Sequence, residues 1–263
     1  MRSCLPLLAI LLLLAACEAP LVDWADPTAA APVPGPSRLV IDTAGSARFV
    51  PDTAAAAVTS PAPTPGTCER SLRRAAATVH AYAIWWSVRP DSSAVLYVAR
   101  SADAGRSWAK PIAIDTADMS TNGCDRPPPS LTTVGDDVYV AYSMIAPDGR
   151  GVFFAHMMSG MLHSPVPVVY GERLVNTAIA AQDPRVAVAY EDPNGSRRQI
   201  GVALSTTQGH LFEWRTTASR VIDDATSPAV ALAGRSLAVS WVAGRGEQDD
   251  STDRRVVRVG RIQ

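Results

Sequence analysis

Lysine is almost missing from this chain: Lys110 stands alone among 24 basic residues, and every other one is arginine. Basic and acidic residues, 24 and 25, nearly cancel to a formal net charge of −1. A chain so balanced has no electrostatic case for binding nucleic acid, and no such partner is expected. Past the N-terminus the apolar runs are short and broken by Pro, Gly or charge, below the roughly 20 residues of a membrane-spanning helix. Neither a Gly-x-Ser-x-Gly elbow nor a phosphate-binding glycine loop occurs. The four histidines, His80, His156, His163 and His210, show no ligand spacing. They predict ordinary polar roles, with no metal and no cofactor.

What is present begins at the N-terminus. Met1-Arg2 is followed by an apolar run from Leu5 to Ala16. The run is too short to span a bilayer and has the length of a signal-peptide core. It ends in Leu14-Ala15-Ala16-Cys17, which resembles the bacterial lipobox. The resemblance implies a signal peptide over 1–16, cut before Cys17, and a thiol there that carries lipid (palmitate or a similar acyl chain). The protein is then expected in the cell envelope, its membrane partner reached through that lipid. Glu18 in place of Asp favours the outer membrane in a Gram-negative cell. The alternative is an ordinary secretory signal with a chance cysteine.

Cys4 leaves with the signal, so Cys68 and Cys124 remain. An exported domain sits in an oxidising space, and a Cys68–Cys124 disulfide is predicted. Two free buried thiols are the alternative. Residues 17–66 are rich in Pro and Ala, with Pro32, Pro34, Pro36, Pro61, Pro63 and Pro65 clustered at the two ends. That composition predicts an extended tether, to which 38–50 could add one or two strands. The folded domain is placed at 67–263.

Within 67–263 the sequence repeats. His80–Ser87 lies over Asp136–Ser143 without a gap, and the same offset of 56 puts Cys68 over Cys124. Later copies are Arg185–Glu191 and Ser236–Val242, so the marker aromatics are Trp86, Tyr142, Tyr190 and Trp241. Each copy reads as four short strands joined by hairpin turns. Several strands are apolar on both faces, and both faces must therefore be covered. Radially stacked sheets do this, and the repeat length falls in the range of roughly 40 to 50 residues for propeller blades. The fold class predicted is all-β, a β-propeller with four recognisable blades. A fifth is left to be assembled from 38–66 and the C-terminal strand Val256–Val259. A two-sheet sandwich explains the strands but not the repeat.

Ser101-Ala102-Asp103-Ala104-Gly105-Arg106-Ser107-Trp108 resembles the Asp-box, or BNR repeat, of sialidase-like propellers. A worn copy, Ser205–Phe212, follows at an offset of 104, with Thr207 for Asp and Phe212 for Trp. The resemblance implies a sialidase-like propeller in which Ser101, Asp103, Gly105, Ser107 and Trp108 are structural and lie away from the ligand face. Sialidases use three arginines, a Tyr/Glu nucleophilic pair and an Asp acid. Here the usual first-arginine motif is absent. The unit starts, Glu69-Arg70, Asp125-Arg126 and Glu172-Arg173, place Arg70, Arg126 and Arg173 with Asp125 near a central funnel. These residues predict either a site for an anion or acidic glycan, or a ring of structural Arg–carboxylate pairs. Carbohydrate binding without catalysis, with a glycan or an envelope protein as partner, is the function expected. An exo-acting glycoside hydrolase of sialidase type with a degenerate site is the alternative, with Tyr142, Tyr190 and Glu191 as loose catalytic candidates.

Overall fold

The computed structural model describes residues 21–244 and 254–263. Cys17 and the 1–16 segment lie outside them. Two short strands, β1 (Val22–Trp24) and β2 (Thr28–Ala29), come first. A hairpin of β3 (Ser37–Ile41) and β4 (Ala47–Pro51) follows, then a single helical turn, α1 (Thr53–Ala57), capped by the Asp52 carboxylate. The first repeat makes β5 (Arg73–Ala76), β6 (Ala81–Val88), β7 (Ala94–Ser101) and β8 (Ile112–Asp115). The second makes β9 (Ser130–Val134), β10 (Asp137–Ala146), β11 (Gly149–Met158), β12 (Met161–Leu162) and β13 (Val166–Tyr170). The third makes β14 (Thr177–Gln182), β15 (Arg185–Glu191), β16 (Ile200–Ser205) and β17 (Trp214–Thr217). The fourth makes β18 (Ala225–Ala233), β19 (Ser236–Ala243) and β20 (Arg254–Ile262). Within each repeat, consecutive strands pair antiparallel, except that β13 joins β11.

The sheets stand like spokes, and β10 shows why. Its side chains alternate between faces, as in any strand. Val138, Val140, Tyr142 and Met144 enter a core shared with Tyr82, Ile84 and Trp86 of the first sheet. The intervening Tyr139 and Ala141 enter a second core with Val186, Val188 and Tyr190 of the third. Strand β15 repeats the pattern: Ala187 and Ala189 face Leu237, Val239 and Trp241 of the fourth sheet. A strand buried on both faces has to be apolar at every position, which is what the repeats spell. The marker rings of the first two sheets, Trp86 and Tyr142, meet edge to face at 5.8 Å. This is the propeller arrangement expected from the repeats, and it excludes a pair of facing sheets.

The segment read as a tether belongs to the fold from Val22 onward. Strand β1 pairs with β20 through Val22↔Ile262 and Trp24↔Gly260, and β2 pairs with β20 through Thr28↔Val257. Gly260 is needed there, because a Cβ would lie 2.4 Å from the Val22 side chain. The C-terminal strand, assigned in part to a fifth unit, is instead the third strand of the fourth sheet, and β1 and β2 complete its outer edge. The β3–β4 hairpin alone forms the reduced fifth blade. Leu39 and Phe49 pack on Ala231, Ala238 and Val257 of the fourth sheet. On the far side, the chain after α1 seals the hairpin to the first sheet. Arg74 donates to the Val58 carbonyl at 2.6 Å, and the Trp85 indole donates to Thr64 at 3.0 Å. The proline-rich stretch could do this because its prolines sit between strands, where no ladder donor is needed.

The predicted disulfide is present: Cys68 bonds Cys124, with Cα atoms 5.4 Å apart. It joins the start of the first sheet to the link leading into the second.

Candidate functional site

Inner strands β3, β5, β9, β14 and β18 surround a central channel with a cavity of about 900 Å³. Its lining includes four arginines, Arg38, Arg73, Arg74 and Arg255, and a single acidic residue, Asp52. Among the described residues, none of the four arginines has a carboxylate within ion-pair distance. Arg73 donates to the carbonyls of Arg70 at 3.0 Å and Leu72 at 2.9 Å. Arg255 lies over the Phe49 ring at 5.1 Å. Burial pulls the pKa of both Arg73 and Arg255 below the ordinary arginine value; arginine nevertheless stays charged in proteins. Charges of one sign in a walled channel concentrate their field on whatever enters. Planar guanidinium suits carboxylate and phosphate oxygens.

These are not the arginines picked out from the sequence. Arg126 is buried beside the channel, not open to it. It donates to Asp118 at 2.9 Å, Ser120 at 2.7 Å and the Gly123 carbonyl at 2.7 Å, and it lies over Trp86 at 5.1 Å. Asp118 in turn accepts from the Ala94 N–H at 2.9 Å. Every arm of this guanidinium is occupied, so Arg126 braces the first two sheets. Arg173 is exposed and donates to the Asp192 and Gly195 carbonyls at 2.7 and 2.8 Å. Arg70 and Asp125 are exposed and lie outside the channel lining. The predicted convergence of Arg70, Arg126 and Arg173 is therefore corrected. They sit on the connections between strands, outside the channel lining. Of Arg70, Arg126 and Arg173, only Arg126 has a carboxylate partner among the described residues, Asp118; at the start of the fourth sheet Asp224 pairs with Arg198 at 2.6 Å and Asp223 with Arg220 at 3.1 Å.

The catalytic candidates are likewise occupied. Tyr142 is buried and donates to Asp115 at 2.6 Å; burial and that carboxylate push its hydroxyl well up. Burial pushes Tyr190 up to about 12. Glu191 accepts from the Asn176 side chain at 3.0 Å and the Ser227 N–H at 2.9 Å, which ties the third sheet to the fourth. Among the described residues, the channel lining contains no Tyr, Glu or His.

The Asp-box residues bond to one another within a single turn. Gly105 N–H donates to Ser101 at 2.7 Å, and the Ser107 N–H and hydroxyl donate to Asp103 at 2.8 and 2.6 Å. Those Ser107 bonds, with a further one from Ser101, hold the Asp103 carboxyl down to about 2. The worn copy keeps the geometry. Gly209 donates to Ser205 at 3.0 Å, and the Leu211 N–H donates to the Thr207 hydroxyl at 3.1 Å. Ala104-Gly105 and Gln208-Gly209 share positive φ angles, 58° and 91° against 57° and 89°. Neither turn touches the channel.

The arginines that do line the channel were overlooked, although one signal was available. Arg73-Arg74 occupies the first-strand positions held by Leu131-Thr132 and Ile179-Ala180 in the next two repeats. The histidines are corrected as well. His156, His163 and His210 converge elsewhere in the molecule, at the rim of the second and third sheets.

No family model matches the chain, and no curated protein does. Solved structures resemble it at low identity. The xylan β-1,4-xylosidase of Bacillus halodurans C-125 is 11% identical, with 85% of this chain and 51% of that one covered, at a TM-score of 0.44. A protein of unknown function from Dyadobacter fermentans DSM 18053 is 12% identical, with 93% and 100% covered, at 0.46. The NanB sialidase of Streptococcus pneumoniae is 12% identical, with 68% and 29% covered, at 0.42. The chain thus spans about half the length of the xylosidase it matches.

Proposed function

We propose that this protein is an exported, lipid-anchored lipoprotein whose propeller binds an acidic glycan in its central channel without cleaving it. The observation that carries the reading is the charge of the channel: Arg38, Arg73, Arg74 and Arg255 face about 900 Å³ of space with one carboxylate among them. Among the described residues these arginines have no carboxylate partner, so an anion entering there breaks no ion pair. The anchor rests on Leu14–Cys17. Five chain steps separate Cys17 from Val22 and reach about 17 Å fully extended. The body then sits close to its membrane, the outer one in a Gram-negative cell, rather than on a long stalk. The non-catalytic reading is supported by a lining that, among the described residues, offers no nucleophilic Tyr/Glu pair.

The test uses the full chain in mild detergent against oligosaccharides bearing sialate or uronate groups and against neutral ones. Acidic sugars are expected to bind, more weakly as salt rises. Arg38→Gln and Arg73→Gln should each weaken them about tenfold, the loss of one charge-assisted hydrogen bond of roughly 1.5 kcal/mol. Equal binding of neutral sugars, or indifference to both substitutions, would sink the reading. Turnover of a fluorogenic sialoside would favour the hydrolase instead.

A further inference from the structure

Three imidazoles meet where the second and third sheets come together, on the side of the Asp-box turns. His156 lies on β11, on the face that packs Phe154 against Phe212 of the third sheet. His163 follows β12, and its backbone N–H donates to the His156 carbonyl at 3.0 Å. His210 sits in the turn of the worn Asp-box, next to Gly209, where a Cβ would lie 2.2 Å from the Phe154 ring. Three separately anchored stretches of backbone therefore aim the same side-chain type at one point. The ring centroids are 4.4 Å apart for His156–His163, 4.8 Å for His156–His210 and 5.3 Å for His163–His210. One nitrogen from each ring lies within 4.8 Å of the others.

The second observation concerns His156. It is 3% exposed, and neither of its ring nitrogens has a hydrogen-bond partner among the described residues. A buried polar atom left unpaired costs about 1–3 kcal/mol, and native proteins rarely tolerate it without a use. The surroundings supply no relief: Tyr139 and Phe154 pack beside the ring.

We propose that His156, His163 and His210 form a site for a divalent transition metal that prefers imidazole, Zn²⁺ or Cu²⁺, with one coordination position left open. The donor set decides the ion. The cluster contains no carboxylate, so it does not suit Ca²⁺ or Mg²⁺, which require oxygen ligands. Neutral imidazole nitrogens suit zinc, copper and nickel. Zinc bonds nitrogen at about 2.0–2.1 Å, so the rings must draw in by roughly an ångström. His163 is half-buried and His210 exposed, and both have room to do so. Exposure increases from His156 to His210, so the open position faces solvent, accessible to water or to a donor from a partner. Two ligands come from the second sheet and one from the third, so the ion would also staple two blades.

The experiment uses the full chain in mild detergent, carrying no polyhistidine tag and stripped of metal by a chelator. Titration with Zn²⁺ alone should give one ion per chain and raise Tm by several degrees. His163→Ala and His210→Ala should each weaken Zn²⁺ at least tenfold while leaving the metal-free Tm unchanged. Co²⁺ in its place should give the visible absorption of a low-coordinate nitrogen site, lost in both variants. The proposal is overturned if the chain takes up neither Zn²⁺ nor Cu²⁺ in the micromolar range. It is equally overturned if the doubly substituted chain binds one ion as tightly as the original.

Discussion

Val22 pairs with Ile262, so the first and last strands of the described chain lie side by side in one sheet. The fourth repeat has only three strands of its own, and β1 with β2 supplies the missing edge. The ring is therefore closed by a segment whose composition reads as linker. An open propeller would leave the outer ladder of β20 unpaired, an edge that invites association with other chains.

That closure makes β1 necessary to the fold. Deleting residues 21–29 should lower Tm by more than ten degrees and promote aggregation, whereas trimming a true stalk would leave Tm unchanged. Val22→Asp places a carboxylate at a position 2% exposed and should cost about 2–4 kcal/mol. Thermal unfolding followed by circular dichroism decides; an unchanged Tm would return these residues to the role of tether.

Arg126 and Asp118 are 0% and 1% exposed at their side chains. Removing one partner of a buried pair strands the other, so Arg126→Met or Asp118→Asn should each cost about 3–5 kcal/mol. The double substitution should cost less than the two singles added together. Denaturant unfolding of the four proteins reports this coupling, and additive losses would count against the pair. Ligand affinity of the folded variants should not change, because Arg126 does not reach the channel.

Asp103 carries a pH signature. Hydrogen bonds lower its pKa from 3.8 to about 2 in the folded state. A depressed carboxyl contributes stability that is present above pH 3.8 and is lost as pH falls through about 2. Asp103→Asn should therefore have a lower Tm than the unaltered protein at pH 7, with the gap closing between pH 4 and pH 2. A gap independent of pH would show that the Asp-box turn does not depend on the charge.

Cys68 and Cys124 close a loop over a sequence separation of 56. Constraint of the unfolded chain by a loop of that size amounts to about 4 kcal/mol, before native-state effects. Cys68→Ser with Cys124→Ser should lower stability by roughly 2–4 kcal/mol in denaturant. Addition of reductant should affect the unaltered protein and not the variant.

Legibility followed burial. Strands β6, β10, β15 and β19 stand out in the sequence because each is covered on both faces, and apolar continuity survives repetition. The Asp-box is equally visible, since its Ser, Asp and Gly bond within a single turn. Pro32 to Pro36 and Pro61 to Pro65 misled, because composition reports what a segment cannot do alone and is silent about a partner strand more than 200 residues away. The channel arginines were hidden for a related reason. Arg38, Arg73, Arg74 and Arg255 come from strands of three different blades, and nothing local marks them as neighbours.

Sequence alone determined the four repeats, their marker strands, the turn chemistry and the cysteine pair, because each of these depends on short-range pattern or on a pairing with one alternative. Tertiary structure decided which strand closes the ring, which arginines share the axis and which histidines share a corner. Those relationships join residues that only the packing of blade on blade brings within reach, and distance in space leaves no mark on spacing along the chain.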